Sequence, residues 1–260
     1  MRIRVITYNI HRAIGVDRRF RPRRIVDIVG HYNADLVLLQ EVDEGAPRSR
    51  EMDMAKDLAE ALGFPHFAVG HNVSLRKGGR YGNATLSRFP ILAESNIDLT
   101  IGESAIGSLI RRGCQHTTVA LDPHEPLAAG RSAARRLEVF NLHLGLSARE
   151  REKQVGLLVR SREFRSIAPE VPLLVGGDFN DWRSRLRPIF TEAFGFRCAT
   201  DRKTGVDRAL RTYPSFSPQG GLDRIYHRGP LELAAVRRCR LQISRVASDH
   251  LPVIADFDVG

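Results

Sequence analysis

The sequence predicts an α/β fold in which mixed sheets are covered by helices, and three observations carry that prediction. Apolar runs of strand length end in polar clusters, amphipathic segments at helical spacing fall between some of them, and a central stretch of short strands is punctuated by turn signals. No composition shift, linker, strong internal repeat or low-complexity stretch divides the 260 residues, so a single domain over 1–260 is expected.

The elements follow in order. Met1 to Asn9 alternates polar and apolar residues from its start, which describes a strand rather than the apolar core of a signal peptide. Pro22 sits where the first turn of a helix tolerates it, and Ile25, Ile28, Val29 and Tyr32 then recur on one helical face. Ala34 to Glu41 is an apolar run closing on Gln40 and Glu41, as expected for a buried strand whose C-terminal end opens onto a site. A second helix presents Ala55, Leu58, Ala59 and Leu62 on one face, with Gly63 as its C-cap. Phe64 to about Asn141 reads as a meander of short strands, with turns at Lys77-Gly78-Gly79 and Arg88-Phe89-Pro90. Ser147-Ala148-Arg149-Glu150 has the capping-box pattern and opens a long charged helix whose inward residues include Val155, Leu158 and Val159. Val171 to Asp178 returns as a strand ending in Gly176-Gly177-Asp178-Phe179-Asn180-Asp181. A short helix near Arg185 to Phe194, a turn-rich stretch around Tyr213 to Gly221, and strands near Leu222 and Leu251 complete the chain.

With 42% hydrophobic and 27% charged residues, the composition is that of a folded globular chain and excludes general disorder. The formal net charge of +10 and pI near 10.2 favour polyanionic partners, nucleic acid or an anionic lipid surface. Arginine supplies the excess in Arg18-Arg19-Phe20-Arg21-Pro22-Arg23-Arg24, Arg111-Arg112 and Arg135-Arg136, and each cluster reads equally well as a solvated face. Cys114, Cys198 and Cys239 lie far apart in odd number, which argues for free, buried thiols. No apolar run approaches the roughly 20 residues of a membrane span, so a cytoplasmic monomer is expected. Trp182, the only tryptophan, reads as packing rather than as a base-stacking surface.

Chemistry-bearing groups gather at the strand ends, where α/β folds place ligand sites: Asn9, Gln40-Glu41, His143, Asp178 with Asn180, Asp223, and Asp249-His250. Singly, Asn9 reads as a turn cap, Glu41 as a surface acid and His143 as a satisfied core histidine. The Gly-Gly-Asp-x-Asn turn is more specific, because its glycines let backbone approach a ligand while a carboxylate and an amide project together. In Ser248-Asp249-His250, an acid beside an imidazole is costly to bury unless both are paired.

Seven ordered stretches carry a resemblance over nearly the whole chain: Thr7-Tyr8-Asn9-Ile10-His11, Leu38-Leu39-Gln40-Glu41-Val42, Tyr81-Gly82-Asn83-Ala84-Thr85-Leu86-Ser87, Asn141-Leu142-His143-Leu144, Gly177-Asp178-Phe179-Asn180, Leu222-Asp223-Arg224-Ile225 and Ser248-Asp249-His250-Leu251-Pro252-Val253. Together they resemble the endonuclease/exonuclease/phosphatase superfamily, which includes AP endonucleases, pancreatic DNase, neutral sphingomyelinases and inositol polyphosphate phosphatases. The resemblance implies a four-layer α/β sandwich, two mostly antiparallel sheets packed face to face with helices outside.

It also implies a metal-dependent phosphoesterase using Mg²⁺ or Mn²⁺. Glu41 is similar to the principal metal ligand, with Asn9 and Asp249 beside it. Asp178 would deprotonate the attacking water, and Asn180 would hold that water or a phosphate oxygen. His250, kept protonated by Asp223, would donate to the non-bridging oxygens, and His143 would protonate the leaving oxygen or bind phosphate. Arg112 and Tyr81 stand where a phosphate-facing arginine and hydroxyl are found in relatives, with packing as the alternative for Tyr81. The subfamily stays open. Extended DNA-binding loops like those of AP endonucleases are missing, and Leu222-Asp223-Arg224-Ile225 lacks the Trp-Cys context of the inositol phosphatases. The expected activity is that of a phosphodiesterase or nuclease. A phosphatase or diesterase acting on a lipid or small phosphate ester is the alternative, and a non-catalytic polyanion-binding protein ranks below both.

Overall fold

The computed structural model describes residues 1–103, 109–121, 136–201 and 209–260; Arg135 of the third arginine cluster lies outside them, as do parts of the expected meander. In chain order the elements are β1 (Arg2–Asn9), α1 (Pro22–Tyr32), β2 (Leu36–Glu44), α2 (Met54–Leu62), β3 (His66–Ser74), β4 (Arg80–Ser87), β5 (Ile91–Asp98), β6 (Ile101–Glu103), β7 (Leu109–Ile110), β8 (Gly113–Ala120), β9 (Arg136–His143), α3 (Ala148–Arg160), α4 (Arg162–Arg165), β10 (Leu173–Asp178), β11 (Arg197–Cys198), β12 (Asp223–Arg228), β13 (Leu231–Arg238), α5 (Ser244–Ala247) and β14 (Val253–Val259).

Two six-stranded sheets form, ordered β13-β14-β1-β2-β4-β3 and β11-β12-β10-β9-β8-β5. Each is mostly antiparallel but holds one parallel pair, β1 with β2 and β9 with β10. Because successive residues of a strand face opposite ways, each sheet feeds two apolar layers. Ile3, Val5, Leu36 and Leu38 of the first sheet meet Val139, Leu174 and Ile225 of the second. On the outer face of the first, Ile6, Tyr8, Val37 and Leu39 pack with Ile25, Ile28, Leu58 and Ala59 of α1 and α2. On the outer face of the second, Phe140, Leu142, Leu173 and Val175 pack with Val155, Leu158 and Phe164 of α3 and α4. The result is the expected four-layer α/β sandwich.

A polar layer pins the sheets together near the strand ends. The Gln40 side-chain amide donates to Asn141 Oδ1 at 2.8 Å, and the Asn141 amide donates to the carbonyls of Leu39 and Ala84 at 3.1 and 2.9 Å. Buried amides with partners resist sliding, because any shift strands a donor.

Several elements depart from the sequence expectation. The central strands are not one meander: β3 and β4 complete the first sheet, and Arg88-Phe89-Pro90 carries the chain across to the second. The helix expected over Arg185–Phe194 is instead a π-type turn over Ile189–Ala193, with Pro188 at its N-cap. Val159 of α3 is only partly buried, whereas Arg151 and Gln154 are buried and hold the loop after β9: Gln154 Oε1 accepts from the Gly145 N–H at 2.7 Å. The capping box of Ser147 and Glu150 forms as expected. All three cysteines are free, but Cys198 is only half-buried. Among the described residues, no helix is long and apolar enough to cross a membrane.

Candidate active site

The two parallel pairs end side by side, and their C-terminal ends carry the polar cluster. Asn9 is the last residue of β1, in register with Gln40, and Asp178 is the last of β10, in register with His143. Asp223 opens β12 directly opposite Asp178, and the Ser248–His250 turn precedes β14, the antiparallel neighbour of β1. Six chain segments far apart in sequence thus deliver their polar side chains to one edge of the sandwich.

Asp178, Asp223, His143, Asn180 and His250 form a buried floor. His250 Nδ1 lies 3.0 Å from Asp223 Oδ2, and its Nε2 lies 3.6 Å from Asp178 Oδ2. The Thr212 hydroxyl also donates to Asp223, fixing that carboxylate. Burial opposes a charged imidazole, but the two carboxylates and the Asp223 hydrogen bond outweigh it and raise His250 to about 10. His143 Nε2 stands 3.5 Å from the same Asp178 oxygen, yet burial, aided by the positive charges of Arg112 and His250, lowers it to about 4. Two histidines flanking one carboxylate are therefore driven to opposite protonation states. Asp178 is itself raised by burial, against the pull of both imidazoles. Its Oδ1 accepts from the Asn180 N–H at 2.9 Å in a tight turn, and the Asn180 amide donates to the Leu144 carbonyl at 3.0 Å.

Around this floor lies a more open rim. Glu41 is aimed there by a β-bulge: the β2–β4 register slips between Leu39 and Val42, and Glu41 takes a φ of 60°. The Asn9 amide nitrogen is 3.0 Å from Asp178 Oδ2 and 3.5 Å from Glu41 Oε1, so two carboxylates converge on it. Asp249 joins through Ser248, whose hydroxyl donates to the Asn9 carbonyl at 2.7 Å and lies 3.3 Å from Asp249 Oδ1. Tyr81 has the Arg48 guanidinium 5.3 Å from its ring centroid, and burial and the nearby Glu41 charge push its hydroxyl well up, with Arg112, Arg12 and Arg48 pulling it back. Arg112 donates to the Leu144 carbonyl at 3.3 Å, beside Asn180.

Oxygen and nitrogen atoms of Asp178, Asp223 and His250 also lie within 4.8 Å of one another, a grouping of the kind that holds cations. Within this triplet His250 pairs through Nδ1 with Asp223, and the carboxylates favour its protonated form. Glu41 and Asp249 offer carboxylate oxygens and Asn9 an amide oxygen that accepts from the His11 N–H at 3.0 Å; a donor set with no thiolate is of the kind hard divalent cations take.

Sequence reasoning missed some of the neighbours and misread others. Arg12 Nε stands 3.5 Å from Glu41 Oε2, and His11 Nδ1 3.9 Å from Asp249 Oδ1; both sit in a turn where His11, Arg12 and Ala13 all have positive φ. The Tyr213 ring centroid is 5.0 Å from that of His250. Gln40, grouped with the site from its place in the chain, belongs to the inter-sheet layer. The glycines before Asp178 do not open space for a ligand: a Cβ on Gly177 would fall 1.9 Å from the Leu142 carbonyl, and one on Gly176 would fall 2.7 Å from Leu38 Cδ1. Trp182 packs on one side only: its ring meets that of Tyr213 edge-on, and the residue is 50% exposed.

Comparison with known proteins agrees with this architecture. The family model described as endonuclease/exonuclease/phosphatase family matches residues 6–250. The Escherichia coli (strain K12) protein YbhP is 31% identical, the match covering 98% of this chain and 95% of YbhP. An endonuclease/exonuclease/phosphatase from Beutenbergia cavernae DSM 12333 superposes with a TM-score of 0.76 at 22% identity, covering 100% of this chain and 72% of that one. One from Bacteroides vulgatus gives 0.73 at 20% identity over 100% of both chains. At such identities the likeness to the two solved structures concerns the fold.

Proposed function

The chain belongs to the endonuclease/exonuclease/phosphatase family, and from that premise we propose that it is a phosphodiesterase or nuclease that hydrolyses a phosphate ester by in-line attack of water. The observation that carries this reading is the His250 imidazole held between Asp223 and Asp178, with Asn180 and His143 beside the same carboxylate. Such a set supplies a proton acceptor and a fixed positive charge within a few ångströms of each other, which phosphate hydrolysis needs.

In this reading Asp178 accepts a proton from water as its oxygen attacks phosphorus, and a carboxyl raised by burial is the better base for that task. Asn180 orients the water or a phosphate oxygen. His250 donates from Nε2 to a non-bridging oxygen, its charge held by Asp223. The ester P–O bond breaks opposite the attacking water, and the leaving oxygen takes a proton from solvent. Of the two roles open to His143, burial favours phosphate binding, because proton donation would require the charged imidazole that burial disfavours. Tyr81 and Arg112 line the approach to the same phosphate. Held by Glu41, Asn9 and Asp249, Mg²⁺ or Mn²⁺ would neutralise negative charge developing on the phosphate and leaving oxygen. Since both sheets contribute to the site, we read the chain as one catalytic domain.

The test is turnover of plasmid DNA, RNA, bis-p-nitrophenyl phosphate and anionic phospholipids with Mg²⁺ or Mn²⁺, using Asp178→Ala to exclude a contaminant. Excess EDTA should abolish hydrolysis and added Mg²⁺ or Mn²⁺ should restore it. Full turnover in EDTA would remove the metal-assisted reading, and turnover surviving Asp178→Ala would remove Asp178.

A further inference from the structure

We propose that Trp182 and Tyr213 form an aromatic subsite that stacks a nucleobase next to the phosphate held at His250 and Asp178, which makes the substrate a nucleic acid strand. The inference rests on the hydrolase reading above and names its substrate class.

Trp182 follows Asn180 by two residues, so its indole leaves the chain just beyond the floor of the site. Its ring meets that of Tyr213 edge-on, with centroids 5.6 Å apart, and Tyr213 in turn lies 5.0 Å from the His250 ring. The indole is therefore one ring removed from the proposed phosphate position. It is also backed: a Cβ on Gly220 would come within 2.6 Å of Trp182 Cζ3, so a residue without a side chain is what lets the indole lie against that loop. The loop is anchored to the site, because the Ser215 N–H donates to the Asp249 carbonyl at 2.7 Å and the Leu251 N–H to the Thr212 carbonyl at 3.0 Å.

An indole supported on one side and half open to water is a costly arrangement for packing alone, since burying a large aromatic is worth more than leaving it exposed. It suits a planar partner. Every base has a π-face, so one such platform beside a phosphate site accepts bases with little regard to sequence. The formal charge of +10 favours the polyanionic form of such a ligand. An acyl chain would also cover an indole, but lipid headgroups offer no planar aromatic ring to stack.

Because Trp182 is the only tryptophan, its fluorescence reports directly on the subsite. The test compares oligothymidylate with a tetrahydrofuran-abasic oligomer of equal length and charge. In Asp178→Asn protein with Mg²⁺, oligothymidylate should quench the emission and the abasic oligomer should not. In otherwise wild-type protein, Trp182→Ala should lower kcat/KM on oligothymidylate by roughly tenfold, the worth of stacking one base, and leave the abasic oligomer unchanged. Trp182→Phe should keep most of the preference, and it keeps the test decisive should the alanine variant fold poorly. Equal quenching by both oligomers, an equal kinetic loss on both, or quenching by anionic vesicles alone would overturn the subsite. If the oligomers are inert while another phosphate ester is hydrolysed, the nucleobase inference fails and the hydrolase reading stands. Inertness toward every ester defeats the hydrolase reading, while the fluorescence titration still decides the subsite.

Discussion

Asp223 has no direct role in moving a proton in the proposed mechanism, but the charge of His250 depends on it. Burial alone would leave that imidazole neutral; Asp223, at 3.0 Å, is the first of the groups that reverse this. Asp223→Asn keeps the shape and the neighbouring Thr212 hydroxyl but removes the charge. The sign is then fixed: the folded imidazole is raised, the active form is protonated, and activity is lost as pH rises through its pKa. The alkaline limb of kcat/KM should therefore lie near pH 10 in the parent. In the variant it should move down by roughly one unit or more. An unmoved limb would detach Asp223 from the charge of His250. His250→Ala and Asp178→Asn should each reduce kcat by roughly 100-fold or more while circular dichroism stays unchanged, as expected for groups acting on the transition state. At this scale the cluster was legible because acid, amide and imidazole groups recur together at the ends of apolar strands, although each taken singly has another explanation. Arg12 and His11 were not, since their approach depends on three successive left-handed residues that no side-chain pattern announces. The half-exposure of Trp182 was not legible either, because exposure is a property of the assembled fold.

At the scale of elements, the position of Asp178 is set by how closely β10 lies against β9. Gly177 has a φ of 140°, and its Cα faces the Leu142 carbonyl so closely that a Cβ would fall at 1.9 Å. Gly177→Ala should cost about 3 kcal/mol of stability by strain and clash. It should also depress turnover, because β10 must move and carries Asp178 with it. Urea unfolding and kcat of the purified variant check both; native stability with native activity would show that the two strands can part freely. Alternation, helical periodicity and capping made β1, α1, α2 and α3 readable. The two-residue β11 is too short to show a pattern, and β13 is an edge strand rich in half-exposed and exposed residues, whose short Leu233–Val236 apolar run has two alanines at its centre, a residue depleted in strands. The division of the central strands between two sheets was equally hidden, because a turn signal marks where a strand stops and not which sheet receives the next one.

Over the whole molecule, the charge of +10 was visible from composition, but its distribution was not. Much of the Arg18–Arg24 cluster is paired: Arg24 holds Asp17 at 2.8 Å, and Arg23 holds Asp27 at 3.0 Å, one helical turn along α1. Arg18 and Arg19 remain exposed on the loop that continues from the His11–Ala13 turn, beside the end of β1. If the substrate is a nucleic acid strand, these two are the arginines we expect to meet its flanking phosphates, whereas Arg23 and Arg24 already face carboxylates. Binding of duplex DNA by Asp178→Asn protein should then weaken steeply with salt, log affinity falling by roughly 0.9 per phosphate neutralised for each unit of log salt. Reversing both charges with Arg18→Glu and Arg19→Glu should flatten that slope by roughly 0.9 for each phosphate that these two arginines neutralise. In otherwise wild-type protein, the same pair of substitutions should leave turnover of bis-p-nitrophenyl phosphate unchanged, because that small diester reaches only the floor of the site. A slope that does not change on reversal would assign phosphate binding to other arginines. Affinities for DNA and for anionic vesicles that are both independent of salt would make the charge a general surface property, and the substrate a small phosphate ester that needs no electrostatic guidance.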